Sequence, residues 1–316
     1  MTYLLICRIF RSFHDILFFI WLLMQRYAGF LHLRPGKLQR KMRTGKYVLV
    51  IAAACMALLC SCSKLEFAGV YDRVMVELDQ SYTGIDVSDC IEVRYSVDCE
   101  SAAIEADVNL IPYVEIYEKG NTLKIGLAKG LKLDDDGWNS LRVVVTLPFR
   151  PEVRSISLSG AATFISDFPV TGDRFSLDAS GASRFTGDVA ADMVAIDLSG
   201  ASTMECGSLI CSRMDLSAGG ASSARLSGKV SSCRISLSGA STMKGVPDVL
   251  PFSLELHDCS GSLSGASYAS FRSDGSISCS LSGASTIVYM GNADISRSRV
   301  SGDGSVIELV DDRSDY

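Results

Sequence analysis

The 316-residue chain holds only three histidines, two tryptophans and seven prolines, and charged residues make up just 21% of it. Each scarcity excludes something. His14 and His32 lie near the N-terminus, so His257 is the one imidazole the body of the chain can offer to acid–base or metal chemistry. No CxxC pair occurs, and the seven cysteines beyond Cys62 (Cys90, Cys99, Cys206, Cys211, Cys233, Cys259 and Cys279) are odd in number. Neither a zinc site nor a complete disulfide framework is indicated, and Cys90–Cys99 is the candidate bridge. Phosphate-binding loops and dinucleotide fingerprints are absent. The apolar runs Ile16–Met24 and Tyr47–Leu59 are too short to span a bilayer comfortably. Nine of the 30 Lys and Arg residues but one of the 36 acids lie at or before Cys62, so the remainder carries a net charge of −14. A body of that sign is repelled by nucleic-acid backbones and anionic lipid. With no basic stripe of interleaved aromatics, nucleic acid is excluded as a partner.

What is present begins with a targeting segment. "RKMRTGKYVLVIAAACMALLCSC" reads as a basic region, an apolar region and a small-residue cleavage site. Its end, Leu59-Cys60-Ser61-Cys62, resembles the lipobox of bacterial lipoproteins, which implies cleavage before Cys62 and lipid on that cysteine. Residues 1–41 do not fit this plan, and translation is expected to start at Met42. A peptide from residues 1–41 in the native protein would overturn that expectation.

The body repeats a phrase. "IDLSGASTM" at 196–204 returns as "ISLSGASTM" at 235–243. Anchors fall at Gly160, Gly181, Gly200, Gly220, Gly239, Gly265 and Gly283, with a degenerate eighth at Gly302. The spacings are 21, 19, 20, 19, 26, 18 and 19 residues. A period near 20 without helical patterning predicts one coil of a β-solenoid per repeat. The long interval holds "VPDVLPFSLELHD", read as a protruding loop.

Steps of two outward from each anchor sort the residues. Two before stand Leu158, Ala179, Leu198, Ala218, Leu237, Leu263 and Leu281. Four after stand Phe164, Phe185, Met204, Ala224, Met243, Ala269 and Ile287. The intervening positions are Ser or Asp, with Gly219 the one exception, so the segment is a strand with one buried face. Cys233, Cys259 and Cys279 share the inward parity, as small core residues. Alanine follows every anchor, which predicts a bend that turns it inward or confines it tightly. The serine after it is expected at the corner, bonding to backbone or to the next serine. Residues 71–150 also alternate, and are expected to form the first coils or a cap.

The serial "SGAS" phrases, following "IDVSDCIEVRYSVD" and "NTLKIGL" behind a lipoprotein-type signal, resemble the auto-transporter adhesin head, or GIN, domain over about 70–305. That resemblance implies an exported, right-handed parallel β-helix with no known catalytic site. The expected plan is an upstream extension (1–41), a signal (42–61), a tether (62–70) and one all-β domain (71–310), its coils of about 20 residues at 151–305.

Two constellations could do chemistry. Asp178 and Asp197 hold the same outward position in adjacent coils, about 5 Å apart. That suits a glycosidase pair or part of a calcium site, but also two solvated acids. No base or further acid stacks there. Asp215 and Arg234 stack as a simple cross-strand pair. His257-Asp258 lacks an identifiable serine nucleophile, and adjacency puts the two side chains on opposite faces of a strand. "DDDG" at 134–137 lacks the ligand spacing of an EF-hand.

The expectation is a non-catalytic extracytoplasmic lipoprotein, a binding or structural module with an adhesin role, needing no cofactor or metal. Its partners are the membrane, through the lipid, and a glycan or envelope protein. It sits in the cell envelope, at the outer membrane. The alternative is a carbohydrate-active β-helix enzyme using Asp178 and Asp197. Specificity is sought where coils differ: at those acids, at Arg184 and after Gly245.

Overall fold

The computed structural model describes residues 65–78, 81–97, 99–132, 141–246, 252–302 and 304–310. Residues 1–41, the signal, Cys62, "LDDDGW" at 133–138, the proline-bearing core of the long interval and residues 311–316 lie outside the described residues. Lys64–Tyr316 form one compact unit with its own apolar core.

The chain is all-β. The first third supplies β1 (Tyr71–Val76), β2 (Gly84–Val87), β3 (Ile91–Ser96), β4 (Ala102–Asp107), β5 (Val114–Lys119), β6 (Thr122–Leu127) and β7 (Val143–Pro148). The repeats supply β8 (Ser155–Leu158), β9 (Thr163–Ser166), β10 (Val170–Ala179), β11 (Arg184–Thr186), β12 (Val189–Leu198), β13 (Thr203–Ala218), β14 (Ser223–Leu237), β15 (Thr242–Lys244) and β16 (Leu254–Leu263). The last are β17 (Tyr268–Arg272), β18 (Ile277–Leu281), β19 (Thr286–Met290), β20 (Arg299–Val300) and β21 (Val306–Leu309). Among the described residues the only helical piece is a 3-10 turn, Ile111–Tyr113.

Three ladders result. The first runs β6–β2–β8–β10–β12–β13–β14–β16–β18–β20, every pair parallel. The second runs β7–β3–β9–β11–β13–β14–β15–β17–β19–β21, also parallel. The third joins the leading ends of β10, β12 and β16 with the middle of β13, around Leu209–Cys211, and of β14, around Gly228–Val230. Antiparallel strands close the N-terminal side, β5 on β6 and β4 and β1 beyond β7. Within residues 71–150, β2, β3, β6 and β7 continue the parallel ladders, and β1, β4 and β5 pair antiparallel at their N-terminal side.

The inward columns are buried as read. Leu158, Ala179, Leu198, Ala218, Leu237, Leu263 and Leu281 are each in register with the next, and all are buried. Phe164 and Phe185 stack at 5.8 Å between ring centroids. Burying a side chain of this size is worth roughly 1.5–3 kcal/mol, against about 1 kcal/mol net for one hydrogen bond. Apolar columns therefore set the register, and hydrogen bonds refine it.

The corner departs from expectation. The alanine after each anchor, from Ala161 to Ala284, is exposed, not turned inward. The next serine is the buried one: Ser183, Ser202, Ser222, Ser241, Ser267 and Ser285 are at most 1% exposed. The anchor glycine causes the exchange. It takes a left-handed conformation (φ +73° at Gly181), which rotates the following residue outward and the one after it inward. From Ala182 onward each alanine N–H donates to the anchor-glycine carbonyl of the preceding repeat, as at Ala182 to Gly160, 2.7 Å. Four of the buried hydroxyls, on Ser202, Ser222, Ser267 and Ser285, turn to backbone, as Ser202 Oγ does to the Ala179 carbonyl at 3.0 Å, whereas those of Ser183 and Ser241 have no partner.

Asp89 holds an anchor position that the spacing of the glycines does not reveal. Val87 pairs with Leu158, and Ala161 N–H donates to the Asp89 carbonyl at 2.9 Å. Asp89 has φ +68°, a region that Asp tolerates better than most residues. Its carboxylate accepts from Leu127 N–H (2.8 Å) and Ser88 Oγ (2.9 Å), which fixes the turn.

Cys90 and Cys99 are not bridged: they lie beyond opposite ends of β3. A six-residue strand spans about 20 Å, whereas a disulfide needs Cα atoms within about 7 Å. The Cys99 thiol instead donates to the Ser96 carbonyl at 3.6 Å.

Candidate functional site

The third ladder carries a groove of about 580 Å³. Its floor is the position nine before each anchor: Gly172, Ala191, Cys211, Val230 and Leu256. One wall is the position ten before, where Ala190, Ile210, Lys229 and Glu255 stand side by side in register. The other is the position eight before, with Asp192, Ser212, Ser231 and His257. Arg272, Ser273 and Asp274 close one end.

Local backbone makes the groove. Ladder pairing skips the position eight before the anchor in every repeat, passing from Cys211–Val230 to Arg213–Ser232 and from Val230–Leu256 to Ser232–Asp258. The strand bends there, and two consecutive residues face water: Ser212 with Arg213, and Ser231 with Ser232. Strict alternation fails at this bend, so His257 and Asp258 are not on opposite faces. His257 is exposed and lines the groove, and Asp258 is half-buried beside it.

Asp258 is committed to structure. Its Oδ1 accepts from Ser276 Oγ at 2.7 Å and Ser276 N–H at 2.9 Å, tying one repeat to the next. These bonds, the hydroxyl first, hold its carboxyl below the usual carboxylate range. The His257 carbonyl accepts from Ser273 Oγ at 2.9 Å. No nucleophile is set against the imidazole by these contacts.

The walls are polar but largely balanced. Lys229 Nζ meets Glu255 Oε2 at 3.0 Å across adjacent strands. Arg272 Nη1 reaches Met290 Sδ at 3.6 Å. Ile210 stands 59% exposed in the wall, a large apolar side chain presented to whatever enters. The floor thiol of Cys211 is pushed up to about 11 by burial, so it serves as floor and not as a nucleophile.

Asp178 and Asp197 are in register on β10 and β12 and both exposed, as expected. They lie on the stretch just before the anchors, away from the groove lining. Their column continues as Ser157 and Ser217, so no base joins them. Arg184 Nη1 is 4.0 Å from Glu205 Oε2, and Asp215 pairs with Arg234 in register. Among the described residues no group of three or more His, Cys, Asp or Glu side chains is placed to hold a metal ion. No helix among them is long and apolar enough to cross a membrane.

Ile210, Lys229, Glu255 and Asp192 were not singled out by sequence. The signal was there: the anchor columns keep their small or apolar character between repeats, whereas the tenth position before the anchor changes in each, from Ala190 through Ile210 and Lys229 to Glu255, and the eighth passes from Asp192 through Ser212 and Ser231 to His257.

Fold and surface together define an all-β repeat protein with an open groove along its strands. The chain belongs to the family described as "Putative auto-transporter adhesin, head GIN domain", which matches residues 81–293. Solved structures share the fold at low identity. A putative adhesin from Parabacteroides distasonis is 21% identical with a TM-score of 0.66, covering 78% of this chain and 100% of its own. A putative adhesin from Parabacteroides merdae is 19% identical with a TM-score of 0.63, covering 79% and 100%. A structure titled a putative lipid binding protein, also from P. distasonis, is 16% identical with a TM-score of 0.64, covering 78% and 100%. No curated protein matches.

Proposed function

We propose that this chain is a lipid-anchored, extracytoplasmic binding module: a right-handed parallel β-solenoid that presents a rigid side-chain array to a glycan or envelope protein. The groove of the third ladder carries this reading. Its residues are spaced at a fixed interval by backbone pairing, and one wall changes in every repeat, from Ala190 through Ile210 and Lys229 to Glu255, while the inward columns stay apolar. Three parallel ladders with a period near 20 residues support the solenoid. Membership of an adhesin-like family, and neighbours titled as adhesins and as a lipid binding protein, support a passive role.

Function then follows from rigidity. Most groove side chains sit on strands paired on both sides, so little ordering entropy is lost on binding. The anchor is Cys62, after a signal at 42–61, and residues 62–70 tether the domain at the outer membrane. Mass spectrometry of the mature N-terminus would show a lipid-modified Cys62, and an unmodified or uncleaved N-terminus overturns the anchor. Protease shaving of whole cells separates the outer face from the periplasmic face.

Function is tested by a glycan and envelope-protein binding screen with residues 63–316. A ligand whose binding is lost in Ile210→Asp and kept in Asp178→Asn supports the reading. A ligand that ignores Ile210 moves the site elsewhere. Turnover of a glycan abolished by Asp178→Asn would favour a carbohydrate-active enzyme.

A further inference from the structure

We infer that the groove takes a linear, uncharged polyhydroxylated chain, a neutral glycan, lying along the ladder and across the strands. This rests on the binding-module reading and narrows its ligand.

A β-strand ligand is excluded first. Peptides that dock on sheets do so by pairing with an open edge. Here β12, β13 and β14 are each paired on both sides, so the groove offers side chains and no free ladder.

The array that remains is periodic. Five strands at about 4.8 Å give a groove about 20 Å long. Along it stand Ser212, Ser231 and His257, successive positions of one column, facing Ile210 and the Lys229–Glu255 pair. Hydroxyl and imidazole groups at regular steps match a ligand that repeats its own hydroxyls at a comparable step. Ile210 offers an apolar surface for the C–H face of a sugar ring.

Charge selects among such chains. Lys229 and Arg272 bring two cations to the lining and Asp192, Glu255 and Asp274 three acids, with Lys229 engaged by Glu255, so acids outnumber cations by one. The body beyond Cys62 carries a net charge of −14. A polyanionic chain would meet repulsion at the groove and at long range. An uncharged chain meets neither.

The test is calorimetry on residues 63–316 with linear neutral oligosaccharides (gluco-, xylo- and manno-oligomers long enough to fill the groove), oligogalacturonate as the acidic counterpart, and an envelope-protein extract. Binding of a neutral oligomer is expected, with Ser231→Ala and His257→Ala each weakening it at least about fivefold, the loss of one hydrogen bond. Ile210→Asp should abolish it. All three residues are exposed, so folding is preserved, which circular dichroism checks. Preference for oligogalacturonate, or neutral binding indifferent to all three variants, overturns the inference. Capture of an envelope protein that is lost in Ile210→Asp, without oligosaccharide binding, overturns the glycan and leaves the binding module standing. Neither kind of ligand overturns both.

Discussion

Gly181 lies so close over Gly160 that a β-carbon on it would stand 2.4 Å from the Gly160 carbonyl oxygen. The same approach recurs from Gly200 over Gly181 (2.6 Å) to Gly283 over Gly265 (2.7 Å). Positive φ and backbone contact act together, so glycine is required twice over at each anchor.

Gly181→Ala should therefore cost at least about 2 kcal/mol in urea unfolding, since the left-handed conformation alone costs an alanine roughly 1–2 kcal/mol. Gly120 is the control. It has φ +63° but open space around it, so Gly120→Ala should cost only about 1 kcal/mol. Equal losses at the two sites would show that the backbone contact adds nothing.

Two buried serines separate bonding from burial. Ser202 Oγ donates to the Ala179 carbonyl, whereas Ser183 Oγ has no partner. Ser202→Ala should destabilise by about 1 kcal/mol. Ser183→Ala should be neutral or stabilising, because it removes an unsatisfied buried hydroxyl. A melting comparison of the two variants decides it.

Asp258 makes a pH prediction. Its folded carboxyl is held below the ordinary value of 3.8 by Ser276. A depressed acid contributes stability that is fully present above the unfolded value and lost as pH falls through the folded one. The wild type should exceed Asp258→Ala in urea midpoint by a constant margin between about pH 5 and 7. That margin should shrink from about pH 4 downward. A margin unchanged at pH 2 would detach the carboxylate from Ser276.

The core thiols should be inert. Burial pushes Cys206 up to about 12, and Cys259, bonded into the Cys233 and Cys279 column, lies well above its ordinary range. Iodoacetamide at pH 8 should leave Cys206, Cys211, Cys233, Cys259 and Cys279 unlabelled in the folded domain and label all five in guanidinium. Rapid labelling of any of them in the native state would show that its repeat opens.

Much of this was written in the sequence, and the misses have physical causes. Columns of Leu158, Leu198 and Leu237 are legible because burial on a strand has a period of two. The outward alanines were misplaced because the period breaks where a residue turns left-handed, and alternation is silent on the residues past that break. Asp89 was missed because the anchor was sought as a glycine. "IDVSDC" at 85–90 does match "IDLSGA" at 196–201, with aspartate in the left-handed place. The groove was missed for a related reason. A bend that exposes Ser231 and Ser232 together has no signature in hydrophobicity, and only the failure of neighbouring repeats to agree marks it.

Between Gly239 and Gly265 the interval swells to 26 residues, yet Cys233 still meets Cys259 and Thr242 still meets Tyr268. The ladders pass this point without losing step. Register is therefore set by the strands and not by the length of chain between them, and an insertion after Gly245 should leave the pairing of Cys233 with Cys259 and of Thr242 with Tyr268 unchanged.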